Sequence, residues 1–284
     1  MNEPLAVLLD TQTPFGSLCP DEAETDVWRR CGEHQASGKP GKALWKTLGA
    51  RHPGPFDVTA GGINLRIYPT ENYGDRLIAM TGQLPERDEI ALIAPYLKPG
   101  GSFIDIGANI GLYAIHAGRA LGPEGRVLAF EPHPRTASKL RFNLEANACG
   151  NVRVFEHALG GEEATARFFP DEGKNAGRSS MIAEAVGKAG EGIETRVRPL
   201  AQVLREEGVT APDLIKIDIE GYEDRVLVPL LTRGHASLLA KTILLEDAHK
   251  DLWAGDLAAC LADAGYAQKA ATDTNRLYVR RSLE

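Results

Sequence analysis

No stretch of this 284-residue chain approaches the ~18 consecutive apolar residues that a helix needs to cross a bilayer. The opening MNEPLAVLLDTQTPFG carries a short apolar run but no basic flank and no long apolar core, so it does not read as a signal peptide. Cysteine is scarce. Cys19, Cys31, Cys149 and Cys260 are scattered, with no CxxC pair and no histidine at zinc-ligand spacing. Free thiols in a reducing cytoplasm are the expectation. Basic charge is in deficit, with 32 Lys and Arg against 39 Asp and Glu for a net −7. A chain that grips polyphosphate over a broad face carries the opposite balance, so neither nucleic acid nor a membrane is the expected partner. What is present is the ordinary mixture of a globular protein, 43% hydrophobic and 25% charged. Thirty glycines exceed the usual share of about 7% and point to many tight turns or close backbone approaches. At about 150 residues per domain, the length suits two domains or one large α/β domain with an appendage.

Residues 1–55 have weak periodicity and many breakers, with helical pieces at Glu22–Cys31 and Lys42–Ala50. They read as an N-terminal appendage to a domain spanning 56–284. Phe56–Tyr68 alternates apolar and polar around Gly61-Gly62, a β-hairpin pattern. Pro85 opens a helix whose Ile90, Ile93, Ala94 and Leu97 form one apolar stripe. Strand signals at Ser102–Ile106, Arg126–Phe130, Val152–Phe155, Asp213–Ile219 and Leu238–Leu245 then alternate with helical ones at Ile110–Leu121 and Pro134–Asn147. Tyr266–Lys269 and Arg276–Val279 lie close enough to form a closing hairpin. This alternation predicts an α/β, doubly wound, mostly parallel sheet with an antiparallel C-terminal edge strand. Residues 160–200 break the rhythm with repeated glycines and short strands at Thr165–Phe169 and Glu194–Arg198. They suit either a lid over a site or an inert surface loop.

The strongest chemical signal is Phe103-Ile-Asp-Ile-Gly-Ala-Asn-Ile-Gly111, an apolar strand running through a glycine turn into a helix. Gly107 and Gly111 allow the backbone to bend and approach a ligand. A dinucleotide site would carry GxGxxG here. This turn instead has GxNxG preceded by Asp105, an acid read as pointing into the same crevice. A carboxylate there repels a pyrophosphate and suits an ammonium or sulfonium, which favours S-adenosylmethionine over NAD. Glu131 ends the next strand before Pro132, placed to accept the two hydroxyls of a ribose. His157 and Ala158 follow the third strand, where they would read an adenine edge. Lys216-Ile-Asp-Ile-Glu-Gly-Tyr-Glu223 and Leu245-Glu-Asp-Ala-His249 then bring Asp218, Glu220, Glu223, Glu246, Asp247 and His249 to neighbouring strand tips. His249 is the best general base by residue type, with Asp218 beside it. Asp218, Glu220, Glu246, Asp247 and His249 would also suit magnesium or calcium, so a divalent metal is an alternative that is not the main expectation.

At these residues the sequence resembles the FkbM-type methyltransferases. The match lies in DIGANIGLYAIHA, in FEPHP with the following Leu140-x-x-Asn143…Asn147 helix, in Gly177-Arg-Ser-Ser-Met181 and in KIDIEGYE. Gly82-Gln-Leu-Pro-Glu86 also looks like the family's entry to the helix before the first strand. The resemblance runs from about Phe56 to the end, and only the first fifty or so residues stand outside it. It implies a Rossmann-like seven-stranded sheet and S-adenosylmethionine-dependent methylation of sugar or polyketide hydroxyls. It further implies that Asp105, Gly107, Asn109 and Gly111 serve the methionine end of the cofactor and that Glu131 serves the ribose, with Glu86, Ala108 and Pro132 also expected at the cofactor. Asp218 and Glu220 would then stand where cofactor meets acceptor. The expectation is an O-methyltransferase acting on a sugar, a glycan or a glycosylated or polyketide small molecule, with homo-oligomerisation open. The rivals are an NAD-dependent sugar oxidoreductase and a non-catalytic adenosyl-binding subunit that scaffolds a partner.

Overall fold

The computed structural model describes residues 7–36, 47, 51–171, 175–186 and 190–281. Helix α1 (Glu22–Ala36) precedes an antiparallel hairpin of β1 (Phe56–Ala60) and β2 (Ile63–Ile67), turned by Gly61-Gly62 as its sequence requires. Helices α2 (Tyr73–Thr81) and α3 (Arg87–Ile93) lead to the alternating unit. That unit runs β3 (Ser102–Ile106), α4 (Leu112–Leu121), β4 (Arg126–Phe130), α5 (Pro134–Ala146) and β5 (Val152–Phe155). An excursion follows with β6 (Ala158–Gly160), β7 (Ala164–Phe168) and β8 (Ile193–Pro199). The chain then returns through α6 (Leu200–Glu206), β9 (Leu214–Ile217), α7 (Glu223–Thr232), β10 (Thr242–Glu246), α8 (Leu257–Asp263), β11 (Tyr266–Ala271) and β12 (Asn275–Arg280).

The main sheet has seven strands in the order β11-β12-β10-β9-β3-β4-β5. All neighbours from β10 to β5 are parallel, and β12 runs antiparallel to both β10 and β11. The expected C-terminal hairpin therefore closes one edge, with the reversed strand set one position in. Strand alternation feeds two cores. Phe103, Ala129, Leu214 and Leu244 face α4, α5 and the β1–β2 hairpin. Ile104, Ile106, Leu128, Phe130, Ile215 and Ile217 face α6, α7 and α8. The order reverses direction at β3, so ligand space opens beyond the carboxyl ends of β3, β4 and β9. The 158–199 excursion forms a separate three-stranded sheet, β6-β8-β7.

The segment before residue 56 is tied to this body. Trp28 and Cys31 of α1 are buried in the same core as Leu65, Ile78 and Met80. Arg66 and Asp57 form a buried bidentate pair at 2.7 and 2.8 Å. Asp57 also accepts the amides of Gly16 and Leu18, and Arg66 donates to the Thr13 carbonyl at 2.8 Å. The helical piece expected at Lys42–Ala50 lies, Thr47 aside, outside the described residues. Among the described residues no helix is long and apolar enough to cross a membrane.

Candidate active site

The strand-to-helix turn after β3 is built backbone against backbone. The amides of Gly107 and Ala108 both donate to the Phe130 carbonyl, at 3.1 and 3.0 Å. Gly107 has φ +82°, and a Cβ on it would stand 1.9 Å from the Asp218 carbonyl oxygen, so no other residue fits. Gly111 caps α4 with φ +101°, and its missing side chain leaves room for Leu140. Asn109, also left-handed at φ 48°, is held by the side chain of Asn72 at 3.0 Å, which itself caps α2.

Glu131 ends β4 and faces the turn. One carboxylate oxygen accepts the Asn109 amide at 3.1 Å and the other the His133 amide at 2.9 Å. Burial pushes this carboxyl up to about 7 despite those bonds. A cleft partly open to solvent begins here. Of the expected residues, Glu86, Gly107, Ala108, Asn109, Glu131, Pro132, Ala158 and Asp218 line it together.

The cleft floor carries charges that composition alone does not reveal. Lys216 of β9 is buried, with Nζ donating to the Gly107 carbonyl at 3.1 Å and 3.5 Å from Asp218. Burial opposes its charge, but Asp218, Asp105 and Glu86 outweigh it and raise its pKa. Glu86 is exposed as a residue, yet its carboxyl is recessed beside Tyr113, Lys216 and Asp218, and that desolvation raises its pKa. Tyr113 faces Glu86, and burial with this acid drives its phenol well up. Lys216 and Tyr113 were outside the expected set. Their only sequence signal is a cation inside the apolar strand Leu214–Ile217 and an aromatic on the helix after the turn.

The 175–186 segment forms a wall of the cleft through Gly177, Ser179, Ser180 and Met181. Ser180 exchanges backbone hydrogen bonds with Phe169 at 2.8 and 3.1 Å, and its hydroxyl donates to the Glu220 carbonyl at 2.9 Å. Of this glycine-rich stretch, Phe168, Gly177, Ser179, Ser180 and Met181 border the cleft.

Several expected residues stand elsewhere. Asp105 does not face the crevice. It is fully buried two residues before the turn, where alternation sends its side chain beneath α4 and beside Lys216. Burial raises it to about 6, against the pull of Lys216. Gly111 supports the helix start and does not line the cleft. His157 turns away as well, packing against the Phe130 and Phe155 rings with centroids at 5.6 Å. Its neighbour Ala158 takes the lining position. Glu220 and His249 pair at 2.9 Å just outside the lining. Burial and the nearby Asp218 raise both Glu220 and Glu246. Asp247 is engaged with Arg276 at 3.2 Å. Among the described residues no group of three or more His, Cys, Asp or Glu is arranged to hold a metal ion.

With this geometry in hand, comparison with known proteins gives consistent results. The chain is 33% identical over 157 residues to the 31-O-demethyl-FK506 methyltransferase FkbM of Streptomyces tacrolimicus, which covers 46% of this chain and 60% of that relative. It is 28% identical over 174 residues to the 2-O-methyltransferase NoeI of Sinorhizobium fredii, covering 56% and 68%. It is 30% identical over 144 residues to the hexuronic acid methyltransferase AglP of Haloferax volcanii, covering 50% and 55%. The shared region thus spans 60% of the length of the FkbM relative. The profile of the Methyltransferase FkbM domain matches residues 105–266, from the buried acid of β3 to the first residue of β11. The cleft lies within that match apart from Glu86, and the chain belongs to the FkbM methyltransferase family.

Proposed function

We propose that the protein is an S-adenosylmethionine-dependent O-methyltransferase whose acceptor is a hydroxyl of a sugar, a glycan or a glycosylated or polyketide small molecule. The observation that carries this reading is the acid-rich cleft at the ends of β3, β4 and β9, with Glu131 oriented by two backbone amides. The donor set fits the cofactor. Glu86, Glu131 and Asp218 line the cleft with Lys216 as the one cation among the described lining residues, an excess of acid that suits an ammonium and a sulfonium. The turn suits it too. The amides of Gly107, Ala108, Asn109 and Gly111 are spent on Phe130, Glu131 and Ala108, so none of these four is offered to the pyrophosphate of NAD. The relatives' names, which specify a 2-O-methyltransferase and a hexuronic acid methyltransferase, support oxygen and carbohydrate as the acceptor class.

When bound, S-adenosylmethionine would supply an electrophilic methyl group on a sulfonium. Glu131 has acceptor capacity left on both oxygens and would take a ribose diol. Gly107, Ala108 and Asn109 would form the surface under the methionine end, with Glu86 taking an ammonium. Asp218 lines the cleft and would accept the acceptor hydroxyl's proton. His249, the better base by type, is tied to Glu220 outside the lining and would act only on the acceptor's outer side. The 175–186 wall and Tyr222 would limit water and align the hydroxyl. Incubation with methyl-tritiated S-adenosylmethionine and a panel of neutral sugars, uronic acids and polyketide alcohols tests the reading. Alkali-stable label on a hydroxyl is the expected result. Label on amines alone, or none on any carbohydrate or small-molecule fraction of a cell extract, would overturn it.

A further inference from the structure

Lys216 sits directly opposite Asp105 in the parallel pairing of β9 with β3. From there its side chain passes under α4, with Nζ 4.9 Å from the Tyr113 ring centroid. It ends on the Gly107 carbonyl at 3.1 Å and 3.5 Å from Asp218 Oδ2. With 3% of its surface exposed, this is a lysine that would shed its proton without partners. It therefore touches both halves of the cleft, the turn under the cofactor and the carboxylate at the acceptor edge.

Resting on the cofactor reading above, we propose that Lys216 is a positioning residue that ties the Gly107 turn to Asp218 and supplies the counter-charge that lets the cleft's carboxylates stand together. The groups it faces come from every element around it. Glu86 enters from the start of α3, Asp105 from β3, Tyr113 from α4 and Glu131 from β4. Asp218 follows β9 directly, and Glu220 and Glu246 lie within its field. Without the lysine these acids face one another, and among the described residues Arg178, acting on Glu220, is a cation left at the outer edge. Like charges at such spacing hold on to protons, and a cationic ligand then meets a partly neutral cleft.

Calorimetric titration of S-adenosylhomocysteine into wild type, Lys216→Met, Lys216→Gln and Lys216→Arg, from about pH 6 to about pH 9, tests this. Wild-type affinity climbs with pH to a plateau as the cleft acids ionise. Lys216→Met moves the midpoint of that climb up by about one pH unit or more, and Lys216→Arg, which keeps the charge, returns it toward wild type. Lys216→Gln keeps a donor for the Gly107 carbonyl, so it guards against a folding defect in Lys216→Met and is expected to show the same shift. A lysine of merely structural value would weaken binding evenly at all pH. A wild-type midpoint in Lys216→Gln overturns the inference and leaves the cofactor reading standing. Failure of wild type to bind S-adenosylhomocysteine at any pH overturns the cofactor reading, and the inference falls with it.

Discussion

Gly107 and Asp218 meet backbone to backbone, with the Asp218 carbonyl oxygen 1.9 Å from where a β-carbon on Gly107 would stand. The turn that would carry the cofactor and the loop that would carry the base are thus packed into one unit. Asp218 also donates its amide to the Ile106 carbonyl at 3.1 Å, which fixes the register of that contact.

Gly107→Ala forces these two loops apart, because neither the carbonyl nor the φ of +82° can accommodate a side chain cheaply. The expected cost is roughly 3 kcal/mol or more in urea unfolding. S-adenosylhomocysteine binding is lost in whatever fraction stays folded. Wild-type stability in this variant would contradict the close approach.

Stability should fall as pH rises through neutrality, with Glu131 as one source. Burial lifts this carboxyl from 4.5 to about 7, so the folded, ligand-free protein keeps a proton that the unfolded chain has already released. The stability tied to that proton is complete below 4.5 and lost as pH rises through about 7. At about 1.4 kcal/mol per pH unit the loss has a ceiling of roughly 3 kcal/mol. Urea unfolding at a series of pH values should therefore show a shallower decline in Glu131→Gln than in wild type. Asp75 and Asp105, each raised by burial to about 6, keep a residual slope at lower pH.

The two candidate bases separate by placement. Asp218→Asn should lower methyl transfer by about a hundredfold or more, the usual worth of a general base. His249→Ala releases Glu220 without removing a lining group, so its loss of turnover should be less than about tenfold. Neither variant should change S-adenosylhomocysteine affinity as much as a Glu131 substitution does. The check is single-turnover transfer of a tritiated methyl group once an acceptor is in hand.

The N-terminal segment should prove part of the domain's stability. Asp57→Ala leaves Arg66 buried without its bidentate partner and strips the Gly16 and Leu18 amides of their acceptor. Breaking a buried pair of this kind costs about 3–5 kcal/mol. Urea unfolding measures the loss, and limited proteolysis should show cleavage within residues 7–18 before the main sheet opens.

Much of the sheet was legible because Phe103, Ile104 and Ile106 of β3 and Val127–Phe130 of β4 are apolar stretches set off by glycine or proline, as strands covered on both faces require. Helix α2 was not legible, since its buried residues include Asp75 and Arg76, which break an apolar stripe. Helix α7 hides in the same way. Glu223 and Asp224 are buried in its first turn, where Glu223 accepts the Ile219 and Gly221 amides, and Pro229 lies within it. In the site, Glu131, Asp218 and the Gly107–Asn109 turn were readable because they end strands, where side chains must meet the crevice. Asp105 was misjudged because it still belongs to the strand, and alternation decides its face. His157 and Lys216 depend on what packs over them, two aromatic rings in one case and four elements in the other. Local spacing does not encode that packing.

The most direct measurement is calorimetric titration of S-adenosylhomocysteine and of NAD into wild type and Glu131→Ala. Wild type is expected to bind S-adenosylhomocysteine and not NAD. Glu131→Ala is expected to weaken that binding by about tenfold or more, as loss of a charged hydrogen-bond acceptor should. Equal affinity for S-adenosylhomocysteine in the two proteins, or preference for NAD, would contradict the cofactor reading.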